Sequence, residues 1–164
     1  MRRAEYLLSP LFIVPVLVLI ANDHFLKEMW PGLITGKLSD LAGMCFFPVL
    51  MVAIVEASCF LIDKRIYATP YWFTTASMIV AVGFASVKLV QPLADAYAYS
   101  VGALRWVIIA PVNQLLGEST PPITKIVIIN DPTDVLMIVG VLVGVWIGYR
   151  WRSPKPRQVD LANP

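Results

Sequence analysis

The sequence predicts an all-α membrane protein with four transmembrane helices. Hydrophobic residues make up 58% of the 164 residues, and the mean hydropathy is +0.72. Charged residues account for 15%, whereas an ordinary soluble domain has about 25%. Since a membrane-spanning helix needs about 20 apolar residues, the chain has room for about five spans. These values exclude a water-soluble globular domain, and the arrangement of the basic residues selects four spans.

The first span is predicted over 6–27. Its apolar run ends at Ala21 and is too short to cross a hydrocarbon core of about 30 Å, so we expect the helix to continue to Lys27. Glu5, Pro10 and Pro15 do not fit a signal peptide. The run is therefore interpreted as a transmembrane helix.

Three later runs predict spans over 41–62, 72–90 and 134–151. Pro48 predicts a kink in the second span. Trp72, Trp146 and Trp151 lie where an aromatic belt is expected. Together with the first run they form a single bundle over residues 1–152, followed by a disordered cytoplasmic tail over 153–164.

The segment from Ala96 to Leu116 is apolar but carries Arg105 near its centre. A fifth span there would put the basic C-terminal end outside the cell and oppose the positive-inside rule. Four spans place both termini in the cytoplasm, with Ala96–Leu116 as an amphipathic or re-entrant segment on the outer face. A turn at Pro121 and Pro122 and an extended Ile123–Ile129 segment follow. The basic residues then predicted inside are Arg2, Arg3, Lys64, Arg65, Arg150, Arg152, Lys155 and Arg157.

Polar clusters interrupt the apolar chain at the predicted outer ends of three spans. The third span adds Lys88, which follows a stripe of small residues formed by Ser77, Ala81 and Ala85. Ionisable groups at a membrane boundary are candidates for function because leaving them unpaired there is costly. We expect them either to form a closed ion network that only holds the helices in register, or to bind a ligand. The candidate binding residues are Asp23, His24, Lys37, Asp40, Lys88, Asp131 and Asp134.

Each polar cluster also has a structural interpretation. Asp131, with Pro132 after it and Asp134 at the third position, is a strong helix start. Ser39 and Asp40 can likewise cap the second span. Asp23 can pair with Lys27, and His24 with Glu28, one helical turn apart.

Two features are predicted inside the membrane. Gly140, Gly144 and Gly148 form a doubled Gly-x-x-x-Gly groove, which would pack against the small stripe of the third span or against a second copy of the chain.

Glu56 lies about 9 Å from the cytoplasmic end of the second span and needs a partner. Thr74, Thr75 and Ser77 are at similar depth and are the expected donors.

Several functions have no support in the sequence. The chain has one histidine, which excludes a tri-histidine zinc site. Gly32 to Lys37 has the wrong spacing for a phosphate loop, and a net charge of +2 without a basic face does not suggest nucleic acid. Cys45 and Cys59 lie roughly 21 Å apart along one helix, too far for a disulfide. We expect no nucleotide and no nucleic acid as partners, and no cofactor is supported. A divalent metal stays open, with weak candidate ligands Asp23, His24, Asp40 and Asp134.

Three strings, Asn22–Lys27, Thr35–Gly43 and Asp131–Leu136, resemble those of a family of uncharacterised bacterial integral membrane proteins. The resemblance covers about 6–149 and implies a multi-pass protein of the bacterial inner (cytoplasmic) membrane, without an activity. The order of the first and last strings also looks loosely similar to VanZ-type membrane proteins. The chain lacks the Glu-x-x-Gln element and the last-helix Asn of that pattern, so this likeness is an analogy.

These observations leave three hypotheses for function. The first is a binding or accessory protein whose outer face engages a lipid headgroup, a cation or a partner subunit. The second is an enzyme acting there on a lipid-linked or amphiphilic substrate, with His24 or Asp40 as general base and Lys37 or Lys88 stabilising negative charge. The third is a small proton-coupled transporter that uses Glu56 and Lys88. The expected partners are the lipid bilayer and either a membrane protein or a second copy of the chain.

Overall fold

The computed structural model describes residues 4–63, 67–127 and 131–150. Of these residues 84% are helical, and none of them lies in a strand. A 3-10 turn at Glu5–Leu8 precedes five helices: α1 (Pro10–Met29), α2 (Leu33–Ile62), α3 (Pro70–Leu89), α4 (Gln91–Leu115) and α5 (Pro132–Arg150). Four of them, α1, α2, α3 and α5, are long and apolar enough to cross a membrane. The predicted number of apolar helices is confirmed, while Trp151 and the predicted disordered tail lie outside the described residues.

Helix α1 begins at Pro10 because Ser9 precedes it as a cap. The Ser9 hydroxyl accepts a hydrogen bond from the Leu11 amide at 3.3 Å, and proline is favoured at the first helical position. Tyr6, predicted to start the span, lies instead in the 3-10 turn. The helix is α-helical to Ala21, π-helical over Asn22–Leu26 and α-helical again to Met29. It therefore continues through the polar residues, as expected.

Helix α2 begins at Leu33, about two turns before the predicted start at residue 41. The prediction that Ser39 and Asp40 cap this helix is wrong, since both lie inside it. Instead, the Thr35 hydroxyl accepts a hydrogen bond from the Gly32 amide at 3.2 Å and thereby caps the N-terminus of the helix. A helix tolerates Gly36 at a cost of only about 1 kcal/mol, so this glycine does not break it.

The chain divides into two compact units, one of Met1–Ala81 with Leu136–Pro164 and one of Val82–Val135. The core of the first unit joins the 3-10 turn to α2, α3 and α5. The Tyr6 and Phe73 rings meet edge to face with centroids 5.0 Å apart. The other core residues are Val49, Val52, Ala53, Ala76 and Ile147.

The three glycines of α5 lie where neighbouring helices leave too little room for a Cβ atom. A Cβ atom added to Gly140 would come within 2.9 Å of the Leu41 carbonyl oxygen of α2. One added to Gly148 would lie 2.6 Å from the Phe73 Cβ atom of α3. Gly144 lies against Ser77, the first residue of the predicted small stripe; Ala81 and Ala85, the other two, are half-buried. The glycine groove thus packs against helices of the same chain.

The second unit contains α4 and an extended segment of residues 121–127 that runs antiparallel along it, which we call the strap. The Trp106 indole N–H donates to the Pro121 carbonyl oxygen at 2.7 Å, and the Ile126 amide donates to the Ala98 carbonyl oxygen at 3.3 Å. Lys125 pairs with Asp95 at 3.2 Å. The apolar segment predicted over Ala96–Leu116 is thus one helix that starts at Gln91.

Gly102 is expected to control how closely the strap packs. A Cβ atom at this position would overlap the Thr124 carbonyl oxygen. We therefore expect Gly102→Ala to displace the strap and to raise the hydrogen-exchange rate of the Ile126 amide by about tenfold. This change corresponds to a loss of about 1.4 kcal/mol in the free energy that holds the strap on α4. Gly83→Ala is the control because no atom lies within 4 Å of a Cβ atom there. Equal exchange rates in the two variants would contradict the packing.

Candidate functional site: the polar ends of α1 and α2

Asn22 lies at the first position of the π-helical segment and is completely buried. Its side-chain Nδ2 donates to the Thr35 carbonyl oxygen and to the Ser39 hydroxyl, both at 2.7 Å. Thr35 and Ser39 are one turn apart on α2, so they share a face of that helix. The Asn22 amide therefore joins α1 to the first turns of α2.

The other end of the Asn22 amide has no donor. Among the described residues, its Oδ1 is the one buried side-chain polar atom without a hydrogen-bond partner. The amide cannot be flipped to relieve this, because the Thr35 carbonyl oxygen can only accept a hydrogen bond. Leaving a buried polar group unsatisfied costs about 1–3 kcal/mol, and such a group in a folded protein calls for an explanation.

Asp23 and Lys27 form the exposed side of the same site. The Ser39 hydroxyl donates to Asp23 Oδ1 at 2.6 Å, and Lys27 Nζ lies 2.7 Å from the same oxygen. The expected pair of Asp23 with Lys27 is thus present. Both side chains are 42% exposed, so this pair contributes at most about 1 kcal/mol and opens easily. We refer to Asn22, Asp23, Lys27, Thr35 and Ser39 as the Asn22 cluster.

The π-helical segment changes the register of α1 where the cluster lies. A π-helix accommodates one extra residue per turn and is found frequently at functional sites. Asn22 is buried within this segment, whereas Asp23 and His24 are exposed. The segment thus holds a buried amide and an exposed carboxylate on consecutive residues of one helix.

Asp23 is among the site residues predicted from the sequence, whereas Asn22, Lys27, Thr35 and Ser39 are not. One signal was available, because Thr35 and Ser39 are spaced to share a face of α2. That signal was obscured by the prediction that α2 begins only at residue 41. The π-helical segment has no comparable signature in the sequence.

Lys37 and Asp40, two further predicted site residues, lie half-buried in α2, and both are engaged in interactions. Within the described part of the chain, no three histidine, cysteine, aspartate or glutamate side chains are grouped so that they could hold a metal ion. The metal candidates Asp23, His24, Asp40 and Asp134 gain no support from this geometry.

The second unit holds a buried ion pair between Lys88 and Asp134. Lys88 Nζ lies 2.6 Å from Asp134 Oδ2, and each side chain is 10% exposed. The same ammonium lies 5.4 Å from the centre of the Phe84 ring, which adds a cation–π contact. Asp134 is therefore more than a favourable charge at a helix start.

Asp131 acts as the predicted cap of α5. Its Oδ1 accepts hydrogen bonds from the Thr133 amide at 2.9 Å and from the Thr133 hydroxyl at 2.7 Å. The first part of the helix, Pro132–Gly140, is a 3-10 helix of about three turns.

The seven predicted site residues are divided between the two units. Four of them (Asp23, His24, Lys37 and Asp40) belong to the first, and three (Lys88, Asp131 and Asp134) belong to the second. The hypothesis that all seven form one site stays a prediction.

Glu56 is 3% exposed and joins three segments of the first unit. Its carboxylate accepts hydrogen bonds from the Tyr6 hydroxyl and from the Ala68 amide, both at 2.9 Å. Burial, followed by the hydrogen bond to Glu56 and its charge, raises the pKa of the Tyr6 phenol, so Tyr6 stays a hydrogen-bond donor.

The prediction that Thr74, Thr75 or Ser77 satisfies Glu56 is wrong. Ser77 donates to the Val141 carbonyl oxygen at 3.2 Å, and Thr74 donates to the Pro70 carbonyl oxygen of its own helix at 3.3 Å. Similar depth along the helices does not identify the donors of Glu56, which are the Tyr6 hydroxyl of the 3-10 turn and the Ala68 amide.

The fold and this site define a multi-pass α-helical protein with four apolar helices and a polar cluster between the ends of two of them. Comparisons with protein-family models, with curated proteins and with solved structures found no match.

Proposed function

We propose that the protein is a multi-pass protein of a bacterial inner membrane that binds a lipid headgroup at the Asn22 cluster. The observation that carries the proposal is the buried Asn22 Oδ1, an acceptor without a donor, next to an exposed ion pair that opens easily. Such a site already contains acceptors and both signs of charge. A polar group that enters it gains hydrogen bonds that the protein alone does not complete.

The neighbouring residues favour a headgroup over a soluble ligand. Phe25, Met29 and Trp30 are exposed beside the cluster, and Trp is the residue type enriched where hydrocarbon meets headgroups. Asn22 lies about 10 Å along α1 from Met29 by helical rise. Lys27, two residues before Met29, thus lies at about the level of the headgroups when α1 spans a bilayer, and Asn22 lies deeper along the helix.

The orientation is part of the same proposal. The excess of lysine and arginine beyond the opposite span ends favours cytoplasmic termini, which places the Asn22 cluster on the outer, periplasmic side. The outer-face location of Ala96–Leu116 is proposed on the same grounds. The enzyme and transporter hypotheses lack a comparable observation, since Lys88 is held by Asp134, and Glu56 by Tyr6 and Ala68.

The proposal is tested by measuring how much phospholipid the delipidated, detergent-solubilised protein takes up from an equal mixture of phosphatidylethanolamine and phosphatidylglycerol. We expect the double variant Asp23→Asn with Lys27→Gln to bind about tenfold less tightly than the wild type, which corresponds to about 1.4 kcal/mol. Its stability should change by at most about 1 kcal/mol, because the pair is exposed.

The matched control is Asp95→Asn with Lys125→Gln, which removes an exposed pair elsewhere. The control should bind lipid as the wild type does. Equal binding by the wild type and both double variants, or no binding by any of them, would refute a headgroup site at the Asn22 cluster.

A further inference from the structure

We infer that the headgroup taken by the Asn22 cluster carries a primary ammonium next to a phosphodiester, as phosphatidylethanolamine does. This inference rests on the proposed function and adds the chemical class of the ligand. It depends on which hydrogen-bonding capacity of the cluster is unused and on which charges its ion pair presents.

The cluster has an unused hydrogen-bond acceptor, so it requires a donor from the ligand. Asn22 Oδ1 accepts no hydrogen bond from the described residues, and Ser39 and Lys27 both contact Oδ1 of Asp23 rather than Oδ2. Given the dimensions of an amide, Asn22 Oδ1 lies within about 5 Å of the Ser39 hydroxyl, which itself contacts Asp23. The unused acceptor, Asn22 Oδ1, is thus close to the Asp23 carboxylate. A primary ammonium has three N–H donors and can satisfy several acceptors at once, whereas a quaternary ammonium has none.

Lys27 already shows that the Asp23 carboxylate accepts an ammonium. Its Nζ lies 2.7 Å from Asp23 Oδ1, at the geometry of a charge-assisted hydrogen bond. When a headgroup ammonium replaces Nζ on Asp23, Lys27 becomes available to the adjacent phosphate. The Asp23 carboxylate then pairs with the headgroup ammonium and Lys27 pairs with the headgroup phosphate, so no charge is left unpaired.

Two other ligand classes fit less well. A headgroup with a phosphate but no ammonium, as in phosphatidylglycerol, would release Lys27 from Asp23 without replacing it, and would leave Asn22 Oδ1 unsatisfied. A divalent cation prefers several carboxylate or carbonyl oxygens. Within the described ranges no three acidic, histidine or cysteine side chains are grouped for such an ion.

The test compares short-chain phosphatidylethanolamine, phosphatidylcholine and phosphatidylglycerol as separate ligands of the delipidated full-length protein. We expect the dissociation constant for phosphatidylethanolamine to be about tenfold lower than for either of the others. Tighter binding of phosphatidylglycerol that depends on the cluster would overturn the ammonium inference while the headgroup site stands. No binding of any lipid would overturn both.

Soluble phosphoethanolamine and Ca²⁺ are included to separate the source of the ligand from its chemistry. If phosphoethanolamine binds as tightly as the lipid, the ammonium chemistry holds but the proposed lipid source fails. If Ca²⁺ binds at the cluster and excludes phosphatidylethanolamine, the inference is wrong. We expect neither compound to bind as tightly as the lipid.

A charge exchange provides the sharpest variant. Asp23→Lys with Lys27→Asp keeps an ion pair and the net charge but places a cation beside Asn22 and Ser39. We expect it to lose the tenfold preference for phosphatidylethanolamine. The control exchange, Asp95→Lys with Lys125→Asp, should keep it. Should the first exchange fail to fold, Asp23→Asn tests the same point, because asparagine still accepts the Ser39 hydrogen bond without a charge; retention of the preference in a folded variant would overturn the inference.

Discussion

Asp134→Asn is expected to lower the free energy of unfolding by about 3–5 kcal/mol, because it removes the carboxylate charge that pairs with the buried Lys88 ammonium. Both side chains of the pair are 10% exposed, so water cannot replace the lost interaction. The effect is measured by thermal or denaturant unfolding of the detergent-solubilised protein.

Two controls separate burial of the pair from charge alone. Asp95→Asn breaks a pair in the same unit whose side chains are 52–56% exposed, and should cost at most about 1 kcal/mol. The double variant Lys88→Met with Asp134→Leu removes both buried charges and should recover most of the loss. A loss below about 1 kcal/mol for Asp134→Asn would contradict the buried pair, and failure of the double variant to recover would assign the pair a role beyond charge balance.

Gly148→Leu is expected to destabilise the first unit by about 3 kcal/mol or prevent its folding. Even a Cβ atom at this position would lie 2.6 Å from the Phe73 Cβ atom, which cannot move away as the end of a flexible side chain can. Overpacking of a close contact costs about 1–3 kcal/mol, and more where helices must separate. The measurement is the unfolding midpoint in detergent.

Gly43→Leu is the matched control for this prediction. Gly43 lies in the interior of α2, and no atom is within 4 Å of a Cβ atom built there. The same substitution should therefore leave the protein folded and change its stability little. If Gly148→Leu were as stable as Gly43→Leu, the close approach of α5 to α3 would be refuted.

The apolar helices could be predicted because their signal is local. A run of about 20 apolar residues is sufficient evidence for a span, and the continuation of α1 through Asn22 followed from the length that a bilayer requires. Contacts within one turn were also predictable, as the cap at Asp131 and the pair of Asp23 with Lys27 illustrate.

The predicted start of α2 at residue 41 is wrong because a polar stretch does not have to lie outside a helix. Ser39 receives the Asn22 amide through its hydroxyl and Thr35 through its backbone carbonyl, and both lie inside the helix. In a membrane protein a polar residue can mark an interhelical contact as readily as a helix end. Sequence spacing alone does not distinguish these two cases, so it does not reveal the Asn22 cluster.

Local composition is enough to predict that this protein is helical and apolar, which segments can span a membrane, and which few residues there are polar or charged. Which of these polar and charged residues meet is known only from the folded chain: Asn22 with Ser39, Glu56 with Tyr6, and Lys88 with Asp134. The physical reason lies in the composition of the helices. A helix that is apolar on nearly every face has no amphipathic pattern to fix its rotation, so its partners are chosen by close packing at small residues and by the few polar groups that must be satisfied.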